Sequence, residues 1–97
     1  MKYSVRIFKE AHGDVEVAYN YYESQREGLG EEFLIDLINR YDDLAEHPYH
    51  YSFLEGQEVP ILRNVSLIRF PFVVIFEIID EQVVVYAVHN TNKQRRL

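Results

Sequence analysis

The sequence predicts an α+β fold in the order β-α-α-β-β-β, with a helical hairpin packed on one face of a small, mostly antiparallel sheet. Three observations point there: an alternating segment at the start, two consecutive apolar stripes at helical spacing, and three runs rich in Val, Ile, Phe and Tyr beyond residue 60. With 97 residues there is room for one hydrophobic core and so for one domain, 1–97.

The first strand is expected over 3–8, where Tyr3, Val5 and Ile7 alternate with Ser4 and Arg6. A helix is expected within 13–25: Val15, Ala18, Tyr19 and Tyr22 recur at three- and four-residue spacing, and Asp14 and Glu16 suit its positive N-terminal end. Gly28-Leu29-Gly30 interrupts that pattern. Two glycines free to take positive φ suit a tight turn between antiparallel helices. In the second helix Phe33, Leu34, Leu37, Ile38, Tyr41, Leu44 and Ala45 form one stripe, with the acidic residues elsewhere around the wheel. Pro48 disfavours helical geometry at His47 and marks its end.

Residues 49–60, with Gly56, read as the one long loop. Strands follow over 61–69, 72–79 and 82–89, and the polar Asp80-Glu81 break between the last two implies an antiparallel hairpin. Residues 93–97 read as a mobile basic tail.

Composition narrows the function classes. A chain with 47% hydrophobic and 14% aromatic residues buries enough surface to fold. Without cysteine it has no disulfide framework and no thiolate metal or redox site, which fits the cytoplasm. Arg6 and Lys9 interrupt any secretory leader, and the longest apolar run, 70–76, is broken by Pro71 and too short for a membrane span. The net charge of −6, from 10 basic and 16 acidic residues, argues against sequence-independent nucleic-acid binding. The charge is unevenly spread. Residues 10–46 hold 11 acidic residues against Arg26 and Arg40, leaving 5 acidic and 8 basic residues elsewhere.

A helical hairpin covers one sheet face, yet residues 72–79 and 83–88 are apolar at nearly every position. If Phe72, Val74, Phe76 and Ile78 face the helices, then Val73, Ile75 and Ile79 face away. Either sheet twist and the chain's own loop or tail cover that second face, or a partner lays an amphipathic helix or an added strand on it.

Tyr21-Tyr22-Glu23, Gly28-Leu29-Gly30-Glu31-Glu32-Phe33-Leu34, His47-Pro48, Arg63, Arg69-Phe70-Pro71-Phe72 and Val88-His89 stand in order along nearly the whole chain. As a set they resemble the sequential landmarks of ParE-type toxins in the RelE/ParE superfamily. The resemblance implies the toxin half of a type II toxin–antitoxin pair that inhibits growth. It also implies a cognate antitoxin encoded nearby, with Val73, Ile75 and Ile79 as its expected contact. ParE-like members poison DNA gyrase by binding, whereas RelE-like members cut mRNA on the ribosome. Operator DNA binding belongs to the antitoxin in such systems, so none is expected of this chain alone.

A metal-free ribonuclease of that kind needs a base, a charge stabiliser and an acid around one phosphate. The candidates are Arg63, Arg69, Tyr86 and His89, with Glu77 and Lys93 beside them. Arg63 and Arg69, six apart, would share a face if their strand ran unbroken, although Pro71 warns of a bend. Against catalysis, arginines on strands are ordinarily solvated or salt-bridged, and His89 is followed by Asn90, Thr91 and Asn92 where ribonuclease members carry basic or aromatic residues. His12, His47 and His50 are scattered in turns, so no metal site and no cofactor are expected. Acidity disfavours a site among ribosomal phosphates, and the reading is a ParE-like binder, with an mRNA endoribonuclease or a degenerate, non-toxic relative as the alternatives.

Overall fold

β1 (Ser4–Ile7) lies parallel to the last strand of the chain, and this non-local pairing closes the sheet. The computed structural model describes residues 2–92, and the tail expected at 93–97 lies outside them. The chain passes directly from Phe8 into α1 (Lys9–Gln25), turns, and returns through α2 (Leu29–Glu46) and a single 3₁₀ turn, Pro48–His50. It then forms β2 (Arg63–Ser66), β3 (Phe72–Ile79) and β4 (Gln82–Asn90). The sheet order is β1-β4-β3-β2, antiparallel except for the β1–β4 pair. The hairpin of helices is thus the crossover that parallel pairing requires.

α1 starts about one turn earlier than the periodicity predicts. Its first inward position is Ala11, fully buried but too small to register in an apolar stripe, and Gly13 lowers the local propensity. Of the two glycines in the turn, only Gly28 takes a positive φ, +89°. Gly30 is already helical, and what it provides is closeness: a Cβ there would lie 2.7 Å from the Tyr19 ring. Glu23 binds the turn together by accepting the backbone N–H groups of Gly28 and Gly30. On α2 the predicted stripe holds at Phe33, Leu37, Leu44 and Ala45, but Ile38 is half exposed and faces outward with Ile35.

β2 ends at Ser66, three residues short of the expected strand. The chain bends through 68–71 because Asp36, buried on α2, accepts the backbone N–H groups of Ile68, Arg69 and Phe70. Phe70 is thereby folded back against Tyr22 and Phe33, with ring centroids 4.9 and 5.6 Å apart, and Phe33 stands 5.1 Å from Phe72. This aromatic cluster joins Val74, Phe76, Val83 and Val85 in the core. Full burial of side chains of this size stabilises by roughly 2–3 kcal/mol each.

The β3–β4 ladder carries a bulge. Ile75 stands opposite Ala87 and Phe76 opposite Val85, so Tyr86 has no register partner. Asp80 takes the left-handed conformation (φ 56°) at the hairpin, the work a glycine would ordinarily do.

Candidate interaction site

Register fixes which side chains share a face. Val65 and Arg63 pair with Val74 and Phe76 on the helix side; Ser66 and Asn64 pair with Val73 and Ile75 on the outer side. Val73, Ile75 and Ile79 therefore point away from the helices, as the alternation predicts, and Phe72, Val74 and Phe76 are buried beneath them. The outer face is less uniform than the sequence suggests. Val73, Ile75 and Ala87 make an apolar centre, rimmed by Asn64, Ser66 and His89. Ile79 lies about 20 Å from Val73 at ordinary strand rise, and Glu77 stands between Ile75 and Ile79.

Part of that face is covered by the chain itself. Val84, flanked in register by Arg6 and Glu77, is buried. Close by, the Tyr86 ring packs edge-on against Phe8 at 4.6 Å, and Arg6 lies over Phe8. The Tyr86 hydroxyl donates to Glu77 Oε1 at 2.7 Å. That bond, more than burial, holds the phenol above its ordinary pKa, with the Glu77 charge acting in the same direction and Arg6 against it.

The four catalytic candidates are not gathered. Arg63 projects to the helix side, where it donates to the Tyr51 carbonyl at 2.7 Å and lies 3.9 Å over the Phe53 ring and 5.2 Å over Tyr49. His89 pairs with Val73, has the outer-face parity and is exposed near the end of β4, where it also borders the groove beside α1. Tyr86 shares the outer face with His89 but is engaged with Glu77. Arg69 falls outside the strand, so the condition for sharing a face with Arg63 is not met. It donates to Glu32 Oε1 at 2.9 Å, while Arg26 donates to the other Glu32 oxygen. Those two bonds, the one from Arg69 foremost, lower the Glu32 pKa. Lys93 lies outside the described residues. Among those residues no group of three or more His, Cys, Asp or Glu is placed to hold a metal ion; His47 and His50 stack 4.8 Å apart at the end of α2. No helix among them is long and apolar enough to cross a membrane.

A groove of about 850 Å³ opens between α1 and the ends of β3 and β4. Sequence reading missed it. The signal was present, since α1 carries apolar Val17 and Tyr21 one turn apart, off the stripe of Val15, Ala18 and Tyr22 that packs inward. At its floor Asp14 accepts the Val88 backbone N–H at 2.9 Å, beyond the point where β1 stops pairing with β4 at Val85.

No protein-family profile matches the chain, and no curated protein does. Solved structures do. A chain of the chromosomal ParDE TA system from P. aeruginosa superposes with a TM-score of 0.78 at 18% identity, covering 92% of this chain and 96% of that one. The chain thus shares its fold with chains of toxin–antitoxin complexes. The toxin-antitoxin complex RelBE2 from Mycobacterium tuberculosis gives 0.65 at 18% identity, covering 93% of this chain and 99% of that one. The E. coli DinJ-YafQ toxin-antitoxin complex gives 0.55 at 11% identity, covering 99% and 100%. At these identities the likeness is one of fold.

Proposed function

We propose that this chain is the toxin of a type II toxin–antitoxin pair, ParE-like in mode, arresting growth by binding DNA gyrase and neutralised by a cognate antitoxin. The likeness of fold to chains of toxin–antitoxin complexes supports the class. The observation that favours binding over RNA cleavage is the separation of Arg63 from His89, which lie on opposite faces of the sheet. Arg69 and Tyr86 are each engaged by a carboxylate, which competes directly with a phosphodiester oxygen.

The antitoxin contact is assigned to the outer face at Val73 and Ile75, extending to Ile79, because half-exposed β-branched side chains there form the apolar centre of a polar-rimmed patch. Induction of the chain in bacteria, with and without the adjacent small reading frame, tests the proposal. Growth arrest relieved by the neighbour, with gyrase-linked DNA breaks and intact mRNA, supports it. Codon-linked mRNA cuts would replace gyrase by the ribosome, and good soluble expression without arrest would leave a non-toxic relative. Separately, Ile75→Asp should abolish co-purification with the neighbour while the protein stays folded; an unchanged complex removes this face from the interface.

A further inference from the structure

The loop between the 3₁₀ turn and β2 is built as a braced arm. Leu54 donates its backbone N–H to Leu62 and Asn64 donates to Ser52, so the limbs at 52–54 and 62–64 run antiparallel, bridged at Phe53 and Arg63. Beyond them the side-chain amide of Gln57 closes the loop. Its Nε2 donates to the Leu54 and Leu62 carbonyls at 2.7 and 2.9 Å, and its Oε1 accepts the Ile61 and Leu62 N–H groups at 3.2 and 2.7 Å. Both donors and both acceptor positions of one amide are spent inside a single loop.

An arm held this way keeps apolar side chains in water. Val59, Tyr49, Ile61 and Phe53 are 65%, 60%, 48% and 41% exposed. Together they offer roughly 400 Å² of apolar surface, a size at which a patch marks an interaction site. Beside Val59 the same surface is hollow: a recess of about 260 Å³ is walled by Tyr49, Phe53, Ile61 and Ile78. Arg63 and Glu77 also line it, but Arg63 is held by the Tyr51 carbonyl and the Phe53 ring, and Glu77 takes the Tyr86 hydroxyl. A branched apolar side chain entering the recess therefore leaves neither charge without a partner.

A projecting side chain next to a recess with room for it suits a two-fold contact between like surfaces, in which each copy supplies the knob and receives the other's. We propose that residues 49–61 form the contact of a two-fold dimer of this chain, with Val59 of each copy seated in the recess of the other. The area agrees, since a stable contact covers about 800 Å² per partner, a little over half of it apolar. Charge limits its strength. Glu55 and Glu58 on the arm and Asp80 and Glu81 on the β3–β4 hairpin are exposed, against Lys2 and the exposed His47 and His50 near Tyr49. These groups leave the end of the molecule acidic at neutral pH, so apolar packing carries the contact against a repulsive field. Val73 and Ile75, farther along β3, stay open in such a dimer, and the inference does not depend on the reading of the chain as a toxin.

Sedimentation velocity of the purified chain over about 1 to 500 µM should show a monomer–dimer equilibrium. Val59→Asp should weaken it by about tenfold or more, with the fold checked by circular dichroism. Salt at about 1 M should tighten the dimer, because screening removes the repulsion and leaves the packing. The chain has no cysteine, so single thiols provide a second measurement. Val59→Cys mixed with Tyr49→Cys should form a mixed disulfide about tenfold faster than Val59→Cys mixed with Ile38→Cys, whose side chain is exposed on α2. A monomer at every concentration, a dimer untouched by Val59→Asp, a dimer dissolved by salt, or equal crosslinking of the two pairs would overturn the inference.

Discussion

Asp36 Oδ2 accepts the Arg69 backbone N–H at 2.8 Å, joining α2 to a turn 33 residues further along the chain. The same carboxylate takes the N–H groups of Ile68 and Phe70, so three donors of a tight bend are satisfied by one buried side chain. Replacing it strands those donors. Asp36→Ala should cost about 3 kcal/mol or more in urea unfolding, and Asp36→Asn, which retains one acceptor oxygen, about half as much. Equal and small losses would mean that water takes over the turn.

The position of Asp36 also explains why the strand boundary was hard to see in the sequence. Among the acidic residues of α2 it looks like part of a solvated face, because its partners are backbone groups more than 30 residues away. The helical stripe was legible because Phe33, Leu37 and Leu44 bury one side only. The alternation that placed Val73 and Ile75 outward was legible for the same reason, since β3 itself runs straight through the bulge. The position of Arg69 was not legible, because it depends on where a remote carboxylate bends the chain. Nor was the outer pairing of Tyr86 with Glu77, nine residues apart and meeting across a hairpin.

Tyr41 buries a hydroxyl that has no hydrogen-bond partner among the described residues. Tyr41→Phe removes the unsatisfied group and nothing else, so it should raise stability by about 1 kcal/mol. Burial, assisted by the Asp14 charge, pushes the phenol pKa up to about 12. A raised folded-state pKa gives a contribution that is complete below the ordinary value of 10 and lost as pH rises through about 12. The stability of Tyr41→Phe should therefore fall less steeply over that alkaline window, and ultraviolet titration should lose one late-ionising tyrosine. An unchanged alkaline limb would place the ionisation elsewhere.

Glu32 behaves in the opposite sense. Arg69 and Arg26 lower its pKa below the ordinary 4.5, so its contribution is present above that value and lost as pH falls through the depressed one. The stability gap between wild type and Glu32→Gln should be open at neutral pH and close on acidification below 4.5. Because Arg69 and Arg26 are largely exposed, molar salt should narrow the gap at every pH. A gap that persists at low pH would assign the effect to packing.

Arg63 and His89 together separate a binding toxin from an RNA-cutting one. Arg63 is held by the Tyr51 carbonyl and the Phe53 ring, so Arg63→Ala should cost about 1–2 kcal/mol in stability whatever its role. His89 is exposed, and His89→Ala should cost little. If growth arrest comes from a protein contact made elsewhere, the double variant remains toxic once expression is matched and folding is verified by circular dichroism. If the pair activates and stabilises a phosphodiester, a folded double variant loses arrest and mRNA cleavage together. Such a loss requires one substrate to reach both sides of the sheet, past the β4 edge that β1 leaves unpaired beyond Val85, and that edge is where a cleavage site would then be sought.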